Sequence, residues 1–153
     1  MSLLEYRHIL ASIDFSPVSR VVVTRAINLA KHYQAHLDIV TVLEDLPLYP
    51  EPYGDFATPI IDTEQWNQLR DIANKHLSEF AKQHAVPENT SLNVLSGTPK
   101  VEIARYAKAQ NIDLVIIGSH GHKGVLAMLG STADGVAHRV DCDMLTVRVK
   151  PQA

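Results

Sequence analysis

Asp113-Leu114-Val115-Ile116-Ile117-Gly118 sets four branched apolar residues between an acid and a glycine. A run with no polar alternation reads as a strand covered on both faces, the habit of parallel sheets. Outward from it, His8–Asp14 (HILASID), His36–Leu43 (HLDIVTVL), Leu92–Leu95 and Met144–Val149 read as four more strands. Helical spacing fills the intervals. Val22, Ala26, Leu29, Ala30 and Tyr33 place one helix up to about Gln34. Trp66, Leu69, Ile72, Ala73, Leu77, Phe80 and Ala81 trace one face of a second. Ile103, Ala104 and Ala107 mark a third, and a fourth spans about Ser131 to Arg139. Start signals agree: Ser16 before Pro17, Asp62 three residues before Gln65, and Thr98 before Pro99. The order is βα-β-loop-α-βα-βα-β. It predicts one α/β domain over residues 1–153, an open parallel sheet with helices on both faces.

The interval from Glu44 to Ile61 breaks the pattern. Pro47, Pro50, Pro52 and Pro59 are half of the chain's 8 prolines and exclude regular helix or central strand. Loops of this length in compact domains serve as lids or binding loops, or are disordered. Tyr49, Tyr53 and Phe56 could close over a ligand or pack the loop onto the body.

Composition narrows the function classes. The 153 residues are 46% hydrophobic and 20% charged, with a formal net charge of −3. That is too apolar for a disordered chain, and it carries no electrostatic footprint for nucleic acid. No apolar run reaches the roughly 18 residues of a membrane span, and the acid-bearing start does not read as a signal peptide. The single cysteine, Cys142, excludes an intrachain disulfide and suits a reducing compartment. A cytoplasmic protein is the expectation.

Open α/β sheets bind ligands beyond the carboxyl ends of their strands. After the fourth strand stands Gly118-Ser119-His120-Gly121-His122-Lys123-Gly124, and Gly130-Ser131-Thr132 opens the next helix. Glycines let backbone approach a ligand closely, and a helix start offers free N–H groups to an anion. The same residues also read as ordinary turn glycines and an N-cap serine, and spacing alone leaves both readings open. There is no G-x-G-x-x-G in the first turn, no Walker motif and no G-x-S-x-G elbow. His120 and His122 are the one close histidine pair and read as turn residues. His8, His32, His36, His76, His84 and His138 are scattered and receive no role.

Gly118-x-x-Gly121…Gly130-Ser131 resembles the ATP-binding signature of the universal stress protein family. HILASIDFSPVSR is similar to that family's first strand and turn, Gly97-Thr98-Pro99 to the lead of its third helix, and CDMLTVRVK to its last strand. The resemblance covers about His8 to Lys150 and is weakest in the proline-rich loop. It implies strand order 3-2-1-4-5, an adenine nucleotide alpha hydrolase-like sheet, with Asp14 and Gly118 flanking one crevice. It further implies that Asp14 contacts adenine, that Ser12 and Ile13 line the site with backbone, and that Val42 meets the base. Gly118 and Gly121 would pass the ribose and phosphates with His120 between them. Gly130, Ser131, Thr132 and Ala133 would cradle the phosphates, with Mg2+ on the ligand. Eight residues separate Gly121 from Gly130, where the family's nucleotide-binding signature usually has nine; the glycines themselves are retained.

The resulting expectation is an ATP-binding regulator or sensor of stress, without a dedicated catalytic residue. The alternatives are a slow ATPase or phosphotransferase and a nucleotide-free dimeric adaptor. Leu145, Val147 and Val149 alternate with Thr146 and Arg148, a half-buried pattern suited to an edge strand. Family members commonly dimerise through the last strand, so a homodimer through Met144–Val149 is also expected.

Overall fold

The computed structural model describes residues 5–44, 63–119 and 130–149. The proline-rich loop beyond Glu44, the Asp62 cap and the turn residues from His120 to Leu129 lie outside them.

Five strands, β1 (His8–Ser12), β2 (His36–Leu43), β3 (Ser91–Ser96), β4 (Leu114–Gly118) and β5 (Asp143–Val147), form one parallel sheet in the order β3-β2-β1-β4-β5. The predicted strand order is the observed one. The helices are α1 (Val18–Tyr33), α2 (Thr63–Gln83), α3 (Pro99–Ala109) and α4 (Ser131–Ala137). Strand residues alternate between two cores. Ile9, Ala11, Ile39, Leu114 and Ile116 face α1 and α2. Leu10, Val40, Val115 and Ile117 meet Ile103 and Ala107 of α3 and Val136 of α4 on the other side. Burial on both faces is why the central strands lack a polar alternation.

Several local readings shift. The first strand ends at Ser12 rather than Asp14, and the last at Val147 rather than Val149. Before α1, Pro17 takes the cap position with helical torsions, and Ser16 does not cap. No side chain caps α1; Asp14 orders the turn ahead of it, its Oδ1 accepting the Ser16 N–H at 3.0 Å and the Ser19 hydroxyl at 3.2 Å. Ser19 Oγ in turn accepts the Asp14 N–H at 3.3 Å. In α2 only Leu77 and Ala81 are buried, while Ile72 is 65% exposed. The apolar face read along the whole helix is therefore used for packing mainly in its carboxyl-terminal half.

Asp113 fastens the amino edge of the sheet. Its Oδ2 accepts the N–H groups of Arg7 and His8 at 2.8 and 2.9 Å, and its own N–H donates to the His8 carbonyl. Two charge-assisted bonds to one carboxylate are strong for their size. They align the start of β1 with β4 across more than a hundred residues.

Candidate functional site

Between β1 and β4 the sheet order reverses direction, and the chain leaves the two strands on opposite sides. The split opens a crevice beyond their carboxyl ends, of about 590 Å³. That is within the range of small-molecule sites. Ser12, Ile13 and Asp14 enter from β1, Val42 from β2, Gly118 from β4, and Gly130, Ser131, Thr132 and Ala133 from the head of α4. His120 and Gly121 lie outside the described residues.

Local chemistry explains how each wall is held. The Ile13 N–H donates to the Val40 carbonyl at 3.0 Å, extending the β1–β2 ladder one residue past the strand. Asp14 then turns the chain, and Phe15 follows with φ 60°. A left-handed torsion at a phenylalanine is unfavourable, and it is offset here by packing. The ring stacks on His76 at 4.1 Å and meets Phe80 edge-on at 5.6 Å. At the opposite wall the Ser119 N–H donates to the Val147 carbonyl at 2.9 Å. The Gly130 N–H donates to the Ser119 carbonyl at 2.6 Å, so Ser119 and Gly130 meet on the crevice rim. Gly130 precedes α4 with φ −56° and ψ 151°. The first helical bond of α4 runs from the Asp134 N–H to the Gly130 carbonyl. The N–H groups of Ser131, Thr132 and Ala133 lie ahead of that bond and are outside the helical ladder.

Motif reading did not single out the third wall. Val18, Ser19 and Val22 of α1, Glu44, and Thr98, Pro99, Lys100 and Ile103 of α3 also line the crevice. Lys100 is the one cationic side chain among the described lining residues. Its stem lies against Gly135, where an added Cβ would come within 2.6 Å of Lys100 Cδ. The signal that could have found it is positional: Lys100 follows Gly97-Thr98-Pro99 at the end of β3, one more carboxyl end on the same edge.

Elsewhere, burial pushes the Cys142 thiol upward, as suits an inert small residue rather than a nucleophile. At the far edge of the sheet, His8 and His36 meet over Asp38, a grouping invisible in their sequence spacing. Tyr106 of α3 donates its phenol to Asp38 Oδ2 at 2.7 Å. Burial, followed by that bond, pushes the phenol well above its ordinary value. No helix among the described residues is long and apolar enough to cross a membrane.

Comparison with known proteins agrees with this architecture. The model of the universal stress protein family matches residues 5–148. Universal stress protein A homolog 1 of Coxiella burnetii is 39% identical over 96% of this chain and 99% of its own length. Universal stress protein UspA from Lactobacillus plantarum superposes with a TM-score of 0.76 at 26% identity, over 94% of this chain and 99% of that one. A universal stress protein solved in complex with cAMP has a TM-score of 0.60 at 24% identity, over 94% of this chain and 97% of its own. On sequence and fold together, this chain belongs to the universal stress protein family.

Proposed function

We propose that the crevice binds ATP, with Mg2+ on the phosphates, and that the protein acts as a nucleotide-dependent regulator of a stress response. One observation carries the reading. Ser12, Ile13, Asp14, Val42, Gly118, Gly130, Ser131, Thr132 and Ala133, named from four separated stretches, all line a single cavity. The donor set suits the ligand. Half-buried Val42 and buried Ile13 offer an apolar slot for a base. Asp14 offers a carboxylate to a base amine or a ribose hydroxyl. The N–H groups at the head of α4, the Ser131 and Thr132 hydroxyls and the Lys100 ammonium offer donors to phosphate. Loaded with Mg2+, the triphosphate would carry less of the negative charge that Asp14 and Glu44 oppose.

The test is mass spectrometry of the purified, denatured protein, followed by calorimetry on protein stripped of nucleotide. Co-released ATP and tight rebinding of Mg-ATP support the reading. ADP or AMP alone would favour slow turnover, and absence of binding at millimolar Mg-ATP would favour a nucleotide-free adaptor. Because the cAMP-bound relative shares the fold, cAMP belongs in the same titration. Preference for cAMP would make the ligand a cyclic mononucleotide and remove the triphosphate role of α4.

The same reading includes a homodimer through β5. This strand pairs only with β4 in the described sheet. Leu145, on the face that buries Val147, is exposed, as is Val149 just past the strand. An uncovered edge with such a face invites a second copy, and antiparallel pairing about a twofold axis would cover it. Light scattering at micromolar concentration should give a dimer for the native chain and a folded monomer for Thr146→Pro, which deletes a donor of the open edge, since Val147 turns its own backbone to β4, where its carbonyl accepts the Ser119 N–H. A native monomer would remove this part and leave the nucleotide site untouched.

A further inference from the structure

We infer a second ligand site at the opposite edge of the sheet, where His8, His36 and Asp38 form a three-residue seat for a divalent transition-metal ion of the zinc class. The sheet register builds it. His8 of β1 and His36 of β2 are direct partners in the parallel ladder, and Asp38 lies two residues on, hence on the same face as His36. Asp38 Oδ1 stands 3.0 Å from Nε2 of each imidazole. The three donor atoms all fall within 4.8 Å of one another. Donors bound to one zinc ion at 2.0–2.1 Å lie about 2.9–3.4 Å apart, so two of the three edges already have the spacing of a coordination shell.

Hydrogen bonding accounts for His36 Nε2, which pairs with Ser91 Oγ, but not for the two contacts with Asp38 Oδ1. The Asp38 side chain is only 3% exposed, yet among the described residues its Oδ1 has no hydrogen-bond partner, and neither has the buried Nε2 of His8. Both close contacts therefore have the distance of an ion pair without the direction of a hydrogen bond. A buried carboxylate oxygen left in that state is unfavourable, and a cation shared with the two imidazoles resolves it. The other carboxylate oxygen is already fixed. Oδ2 accepts the Tyr106 phenol at 2.7 Å, and Tyr106 accepts the Asn93 amide at 3.0 Å. A hydrogen-bonded support that holds one oxygen and leaves the other to the ion is the usual outer shell of a metal carboxylate.

The ligand types select the ion. Two imidazole nitrogens and one carboxylate favour zinc, nickel or cobalt over magnesium or calcium, which take oxygen ligands. His36 is 44% exposed, so water can complete the shell. Ser91 Oγ is hydrogen-bonded to His36 Nε2 at 3.1 Å, a bond the ion would replace. The bound ion would bolt β1 to β2 at their starts, and its site shares no residue with the nucleotide crevice.

The experiment is calorimetric titration of chelator-stripped, full-length protein with Zn2+ alone, paired with the visible spectrum of the Co2+ form. One equivalent per chain at micromolar or tighter Kd, with the intense bands of low-coordinate cobalt, is the expected result. His36→Ala removes an exposed ring and should weaken Zn2+ at least tenfold, with circular dichroism unchanged. Asp38→Asn should abolish the cobalt bands, and Zn2+ should raise the Tm of the native chain but not of His36→Ala. No uptake at 100 μM Zn2+, or equal affinity in His36→Ala, would overturn the site. Nucleotide is absent throughout, so the outcome is independent of the ATP reading.

Discussion

The two edges of this sheet present opposite kinds of surface to a ligand. The carboxyl edge offers mostly backbone: the N–H groups ahead of α4, the strand ends of β1 and β4, and glycines that keep the approach open. The amino edge offers side chains, with two imidazoles and a phenol converging on one buried carboxylate. A backbone site depends on where elements begin and end, so it tolerates change in most side chains. A side-chain site depends on register, and a slip of one residue along β2 would turn both His36 and Asp38 to the other face.

Substitutions can break this contrast in graded steps. The largest effect should come from the core the edges share. Ile116 is fully buried in the middle of β4, and Ile116→Ala should lower stability by about 2–5 kcal/mol. Urea denaturation should show that loss, and binding at both edges should weaken with it. A loss confined to one edge would mean that the edges fold as separate units.

Next comes Gly130→Asp. The torsions at Gly130 are open to any L-residue, so the fold should persist while a carboxylate enters the head of α4. Mg-ATP affinity should fall at least tenfold, about 1.4 kcal/mol, with Zn2+ uptake unchanged. Unaltered calorimetric affinity would move the phosphates away from this turn.

Asp14 separates structure from binding. Asp14→Ala removes the acceptor for Ser16 and Ser19 and should lower ligand-free stability by about 0.5–1.5 kcal/mol, the net worth of a typical hydrogen bond. Asp14→Asn keeps an acceptor and should restore most of that stability. If nucleotide affinity recovers equally in Asp14→Asn, the carboxylate charge has no part in binding.

The smallest effect lies at high pH. A phenol raised in the folded state holds its proton more tightly there than in the unfolded chain. The resulting stability is complete below pH 10 and declines above it, as unfolded Tyr106 ionises first. Urea midpoints between pH 9 and 11 should fall more steeply for the native chain than for Tyr106→Phe. Tyr6, raised mainly by its bond to Asp143, adds a slope common to both proteins. Equal slopes would show that the Tyr106 proton is not held by the fold.

What the sequence made legible follows from the same contrast. Strand identity and the helix faces were readable because apolar periodicity reports burial directly, as at Leu114–Ile117. The carboxyl edge was readable because its glycines stand close together in sequence and carry a family resemblance. Lys100 was not, because a lysine one turn into a helix looks like any solvated residue until α4 packs beside it. His8, His36 and Asp38 were not, because only the parallel register makes neighbours of residues 28 positions apart. The exposure of the first half of α2 was not legible for a related reason: Leu69 and Ile72 fit the helical period, but period records a shared face and says nothing of what covers it.

The position of β1 has a consequence for how the chain comes together during synthesis. First in sequence, it sits at the centre of the sheet, pairing with β2 on one side and β4 on the other. The β1–β2–β3 half can assemble while the ribosome is still adding α3. Until Leu114–Gly118 emerges, the open side of β1 is an edge lined by Ile9, Leu10 and Ala11. An apolar edge of that kind is a template for pairing with another chain. The Asp113 carboxylate, arriving just ahead of β4 to take the Arg7 and His8 amides, acts as the latch that ends this exposed interval.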